Sequence, residues 1–222
     1  MGSRSDQILV FHRKDLPRAA RFVPAGDLDR LLDAASQTAR WMTRSTAERS
    51  RSWVQPIPCA LIRMDDRYLA LRRTRATRSD LRSRVTVLTG GHVDYSHEGG
   101  DIRGWLLDTL RRELHEELGI RKAFDVVPVG VVIDKSSIKS SRHIAFVFEA
   151  RIEEPVAAQA AEEFVLDSSF SGVFLNRGHL LNFESRFDPW SKIICDAYIS
   201  PHVLGRLGSG HRERQLTLPI VG

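Results

Sequence analysis

Apolar positions along the chain come in short runs separated by polar stretches, and the spacing inside each run assigns it. Residues 7–11, QILVF, read as a short strand. Over 27–42, DLDRLLDAASQTARWM, residues Leu28, Leu31, Leu32, Ala35 and Ala39 recur at helical spacing behind Asp27 as a cap, which predicts a helix. A polar stretch rich in arginine and serine, 43–52, leads into WVQPIPCALIRMDDRYLALRRTR. There Pro56 and Pro58 punctuate the start, and two apolar runs flank Asp65 and Asp66, the pattern of a β-hairpin. RVTVLTGGHVD (84–94) reads as a strand ending in paired glycines. From about Ile102 onward, Ile102, Leu106, Leu110, Leu114 and Leu118 stand four apart, an amphipathic helix that Gly119 stops. VVPVGVVIDK and HIAFVFEARI are further strands with the polar SSIKSSR between them, and a second amphipathic helix is predicted over 189–199. The tail, RLGSGHRERQLTLPIVG, has glycine and charge without a period, which predicts loose order.

These elements divide the 222 residues into an N-terminal strand-and-helix appendage over 1–55, one main α/β domain over 56–204 and a flexible tail over 205–222. No window reaches the roughly 18 consecutive apolar residues of a membrane span, because Arg63, Asp65, Asp66 and Arg67 break the longest apolar stretch. The first residues, MGSRSDQILVF, lack the long apolar stretch of a secretory signal, so a cytoplasmic location is expected. Two cysteines, Cys59 and Cys195, far apart and without neighbouring Cys or His, suggest neither a zinc site nor a disulfide framework. A formal charge of +5 suits anionic ligands such as phosphates without the dense basic clustering of nucleic-acid binders. The densest basic run, RRTRATRSDLRSR at 72–84, is the exception, and it leaves phosphate steering open beside the plainer reading of a solvated loop.

The chemistry concentrates at RRELHEELGI, residues 111–120. Glu113, Glu116 and Glu117 are three and four apart on a helix, so they share one face although like charges repel at that spacing. An exposed charged face is the ordinary explanation of such a cluster. It weakens here because the helix follows a strand, Gly90-Gly91 and a polar loop, which lets backbone approach a ligand closely. Hard oxygen ligands of this kind suit Mg²⁺ or Mn²⁺, ions that bridge to phosphates.

Arg112-Glu113-Leu114-His115-Glu116-Glu117-Leu118-Gly119-Ile120 resembles the core of the Nudix box, R-E-U-x-E-E-x-G-U with U aliphatic, at every fixed position. The order of hairpin, strand with paired glycines, box helix and later strands is also similar to Nudix hydrolases over roughly 57–200. The resemblance implies an α/β/α sandwich with a mixed sheet, and hydrolysis of a nucleoside diphosphate linked to another moiety. It implies that Glu113, Glu116 and Glu117 bind Mg²⁺ or Mn²⁺, with the Gly91 carbonyl as a further ligand, and that Arg112 orients a neighbouring carboxylate. Glu116 or Glu117 then serves as general base, or a glutamate on a later loop, Glu162 or Glu163. One departure is visible: the family's first box glutamate would fall at position 104, which is Gly104, so the loop is longer by about six residues and Glu98, Asp101 or Asp108 takes that acidic place. Asp108, four residues before Arg112, is the nearest substitute by helical pairing.

His92, directly after the glycines, is placed to meet a phosphate or base, and Arg72 and Arg73 at the end of the hairpin strand are further candidates for substrate binding. His115 and His143 read as structural or solvent-facing, and Trp41, Trp53 and Trp105 as anchors. Residues 134–137, Asp-Lys-Ser-Ser, match neither the ADP-ribose nor the diadenosine-polyphosphate signature of the family. Two rivals to the enzyme stand beside it, a nucleotide-sensing module without turnover and an RNA 5′-end pyrophosphohydrolase. The expected partner is a small nucleoside diphosphate derivative rather than nucleic acid or a membrane, with a homodimer one open arrangement.

Overall fold

The computed structural model describes residues 6–17, 21–73, 84–95, 100–120, 125–152, 170–201 and 216–217, with the side chains of 73, 170, 171, 216 and 217 set aside. By contacts the chain divides into two compact units. Unit 1 comprises residues 1–59, 90–112 and 129–147; unit 2 comprises 60–89, 113–128 and 148–222. No helix among the described residues is long and apolar enough to cross a membrane.

Unit 1 begins with β1 (Gln7–His12), whose buried core of Ile8, Leu9, Val10 and Phe11 pairs antiparallel with β3 (Arg40–Thr43) on one side and with Trp53 and Val54 on the other. Residues 40–42, expected to continue the preceding helix, are therefore strand. Helix α1 ends earlier (Leu28–Ser36) because Trp41 and Met42 find backbone partners opposite Leu9 and Ile8. Asp27 holds the N-cap position of α1, but its side chain makes no capping hydrogen bond. Within the arginine- and serine-rich stretch, 44–49 form a short helix, α2 (Arg44–Arg49). β2 (Phe22–Pro24), which the sequence pattern did not reveal, pairs with Gly130, Val131 and Val132. The expected appendage thus contributes β1 to β3 and the first two helices to this unit.

The hairpin is present. β4 (Trp53–Met64) and β5 (Arg67–Arg73) are joined through Asp65, whose φ of 53° lies in the left-handed region that aspartate tolerates. In unit 2, β5 pairs with the end of β4, with β6 (Val85–Thr86) and, over seven residues, with β10 (Phe170–Asn176). The predicted strand over 84–94 is broken at Val87 into β6 and β7 (Leu88–Gly90), and the Val87 amide donates to Ser191 Oγ at 3.0 Å instead of to a strand. β8 (Asp125–Val132) and β9 (His143–Arg151) occupy the expected runs, and β11 (Leu216–Thr217) pairs with the start of β8. Antiparallel ladders are joined by a parallel bridge between Val85 and Phe187, so the pairing is mixed.

Helix α3 (Ile102–Leu118) has the predicted bounds. Asp101 accepts from the Gly104 amide at 2.7 Å as an N-cap, and Gly119, φ +65°, closes the other end. Its stripe of Ile102, Leu106, Leu110, Leu114 and Leu118 is buried throughout, which anchors the helix and fixes which face carries the glutamates. After β10, Asn176 caps α4 (Arg177–Leu181). Asp188, followed by Pro189 at the first helical position, caps α5 (Pro189–Ile194) through the amides of Trp190 and Ser191; a π-helical turn extends it over Cys195–Ile199.

Candidate active site

The division between the two units falls inside α3, between Arg112 and Glu113, so the box residues are described in two parts. In unit 1 the Arg112 guanidinium donates through Nη2 to the His92 carbonyl at 3.1 Å and to Asp94 Oδ2 at 3.3 Å. The expectation that this arginine orients a carboxylate now has a named partner. Asp94, three residues past Gly91, is one such carboxylate, and Asp108 pairs with Arg111 at 3.1 Å. Asp94 was visible in the GGHVD stretch, but nothing local marks it for an arginine eighteen residues on. Both partners are well exposed, so the pair is worth less than about 1 kcal/mol to stability and serves orientation.

His92 is held differently from a phosphate-binding cation. Its Nε2 lies 2.9 Å from Oε1 of Gln55, a residue with no exposed surface, and its ring meets His143 edge-on at 5.6 Å. With Gln55 Oε1 as acceptor, Nε2 carries the proton and Nδ1 is the lone-pair nitrogen. Burial, then the positive charges of Arg44, His143 and Arg112, push its pKa down to about 3. The imidazole is therefore neutral near pH 7 and can offer hydrogen bonds but no charge. Gln55 Nε2 is buried without a hydrogen-bond partner. Gly91 is half-buried beside it in sequence, and Gly90 is required: a Cβ there would sit 2.0 Å from the Pro58 carbonyl oxygen.

In unit 2 the last turns of α3 carry Glu113, half-buried, Glu116, exposed, and Glu117, half-buried. Glu117 Oε2 accepts from the hydroxyl of Thr89, a buried residue on β7. Thr89 is not among the candidates the sequence offers, where the signal is a second hydroxyl closing the run VTVLT (85–89) directly before the paired glycines. Among the described residues no group of three or more His, Cys, Asp or Glu side chains is drawn together closely enough to hold a metal ion. The donor types at 113, 116 and 117 suit Mg²⁺ or Mn²⁺, and their helical spacing puts them on one face, but their side chains are not gathered into a cage. Arg72 is exposed on β5, opposite Ser171. The side chain of Arg73, both base candidates Glu162 and Glu163, the acid candidate Glu98, most of the arginine run and nearly all of the tail lie outside the described residues.

A strand with paired glycines leading to a helix that carries R-E-L-H-E-E-L-G-I, set among mixed strands, is the arrangement of the Nudix fold, and this chain has that fold. It matches the crystal structure of Tm1382, assigned provisionally as a Nudix hydrolase, with a TM-score of 0.69 at 21% identity, over 88% of this chain and 99% of that one. In sequence it is 24% identical to Protein YmaB of Bacillus subtilis over 207 residues, which span 88% of this chain and 98% of YmaB. No family model matches the chain.

Proposed function

We propose that the protein is a divalent-metal-dependent hydrolase of the pyrophosphate bond in a nucleoside diphosphate linked to another moiety. The observation that carries this is the complete Arg112–Ile120 box on a helix of the Nudix fold, with its arginine held by Asp94 and its last glutamate held by Thr89. Glu113, Glu116 and Glu117, with the Gly91 carbonyl, are the residues that would hold Mg²⁺ or Mn²⁺, which supplies charge neutralisation for the diphosphate and activation of water.

The chain's own contribution is orientation. Thr89 holds one carboxylate oxygen of Glu117 by donating its hydroxyl to Oε2. Asp94 and the His92 carbonyl take two donor directions of Arg112, so that this guanidinium braces the loop over 90–94 rather than contacting substrate. His92 can hydrogen-bond a substrate through Nδ1 but cannot neutralise a phosphate, so the cationic contacts fall to Arg72 and Arg73. The general base is Glu116, Glu117, Glu162 or Glu163, whichever reaches the attacking water within one hydrogen bond.

The test is a screen of nucleoside diphosphate derivatives with Mg²⁺ or Mn²⁺, scored for phosphorylated products, run in parallel on Glu117→Gln. Turnover by the parent and a loss of about a hundred-fold or more in the variant, with unchanged circular dichroism, is the expected result. Full activity in the variant refutes the assignment, and a parent that binds but never cleaves favours nucleotide sensing.

A further inference from the structure

A second recess lies wholly within unit 1. It is a cavity of about 500 Å³ between the chain following β1, the residues leading into β4, and the segment joining β8 to β9. Its charged lining is basic: Arg13, Lys14, Arg51 and Lys135 carry positive charge, with His12, His143, Ser52 and Ser141 beside them. Among the described residues no aspartate or glutamate lines it. The two nearest acids in sequence turn elsewhere: Asp134, buried, accepts from the amide and hydroxyl of Ser136, and Asp15 accepts from the Thr38 hydroxyl. The remaining wall is apolar, formed by Leu16, Pro17, Val54, Ile133 and Ile144.

Arg13 is the fixed element. Its Nε donates to the Arg51 carbonyl at 2.8 Å and its Nη2 to the Ser141 carbonyl at 2.6 Å, so the half-buried guanidinium is held by backbone carbonyls. A guanidinium has five N–H donors, and these two bonds leave three for another acceptor. Lys14 and Arg51 are exposed on the same rim, where their charge adds to the field without a desolvation cost. A rigid arginine fork among further cations, against an apolar wall, suits a ligand with a compact dianion at one end and an apolar or aromatic body at the other.

We infer that this cavity binds a small phosphomonoester with an apolar body, phosphate toward Arg13, Lys14 and Arg51. Phosphate is favoured over a carboxylate because it brings nearly two negative charges and three acceptor oxygens near pH 7. The site does not depend on the metal chemistry proposed for the box, and the experiment keeps the two apart. Phenyl phosphate is titrated calorimetrically into the full chain in EDTA, with inorganic phosphate and phenol as companions, and into two variants. One is the double substitution Lys14→Glu with Arg51→Glu, at exposed positions where folding is little affected; the other is Glu117→Gln. Saturable binding of phenyl phosphate, tighter than that of either companion, about ten-fold weaker or worse in the double variant and unchanged in Glu117→Gln, is the expected result. Equal affinity in the double variant, no saturation in the parent, or loss of binding in Glu117→Gln overturns the inference. Lys135→Glu provides a further charge reversal in the lining, where the same weakening is expected and an unchanged affinity counts against the site.

Discussion

His92 predicts a specific acid lability. In the folded protein burial disfavours its imidazolium, and Arg44, His143 and Arg112 add repulsion, so it takes up a proton only near pH 3. In the unfolded chain the same side chain titrates near 6.5. Between those values the unfolded state binds one proton more than the folded state, so stability falls as pH falls. The contribution is fully present above about pH 6.5 and erodes below it, with a limiting slope of about 1.4 kcal/mol per pH unit. Two pH units of acidification therefore cost on the order of 2–3 kcal/mol from this residue alone. His143, whose pKa is also lowered chiefly by burial, acts with the same sign. Urea unfolding followed by tryptophan fluorescence between about pH 7.5 and pH 4.5 measures it, on the parent and on His92→Gln. The variant starts less stable, since the contact with Gln55 is remade, yet it should lose about 2 kcal/mol less on acidification. Parallel curves for the two proteins would refute the idea that His92 is held neutral by its surroundings.

Three further outcomes follow from the packing. Glu149, with no exposed surface, accepts from Arg151 at 2.8 Å, Arg63 at 3.4 Å and the Tyr198 hydroxyl at 3.1 Å; Glu149→Ala should cost about 3 kcal/mol in urea unfolding, and Tyr198→Phe roughly 1.5–3 kcal/mol, the worth of a hydrogen bond to a charged group. Gly90→Ala drives a Cβ into the Pro58 carbonyl and Cys59 Cα, backbone atoms that cannot rotate away, so the thermal midpoint should drop by several degrees or the chain fail to fold, whereas Gly26→Ala, where a Cβ meets nothing within 4 Å, should be neutral within about 0.5 kcal/mol. Leu114→Ala, in the buried stripe of α3, should destabilise by about 2–5 kcal/mol in the same assay.

What could be read along the chain was whatever local spacing controls. The stripe of Ile102, Leu106, Leu110, Leu114 and Leu118 and the stop at Gly119 are local to α3 and made its bounds readable, while the cap at Asp101 is seen in the structure. The Asp65–Asp66 turn is equally local, because one aspartate takes the left-handed conformation that reverses the strand. Non-local partners decided the rest. Residues 37–42 continue a helical period, but four backbone pairs of 40–43 with β1 outweigh the propensity of further helical turns. β10, FSGVFLN, has a glycine and polar residues in a short run and exists through seven pairings with β5, more than ninety residues earlier in the chain. α4 and β2 escape the pattern for a different reason: each is too short to carry a period of its own.

The same distinction applies to the candidate site. A box motif fixes carboxylate positions along a helix, because three- and four-residue spacing is a property of the helix itself. It does not fix side-chain orientation. That comes from Thr89 on Glu117 and from Asp94 on Arg112, both on the stretch around the paired glycines and both distant in sequence from the box. Two side chains outside the motif therefore aim two inside it. Thr89→Val, which removes the hydroxyl donor, and Asp94→Asn, which removes the negative charge, should consequently disturb any box-dependent activity more than substitution of His115, the variable and solvent-exposed position inside the motif. Such an ordering is what separates a site built by orientation from one built by the mere presence of its ligands.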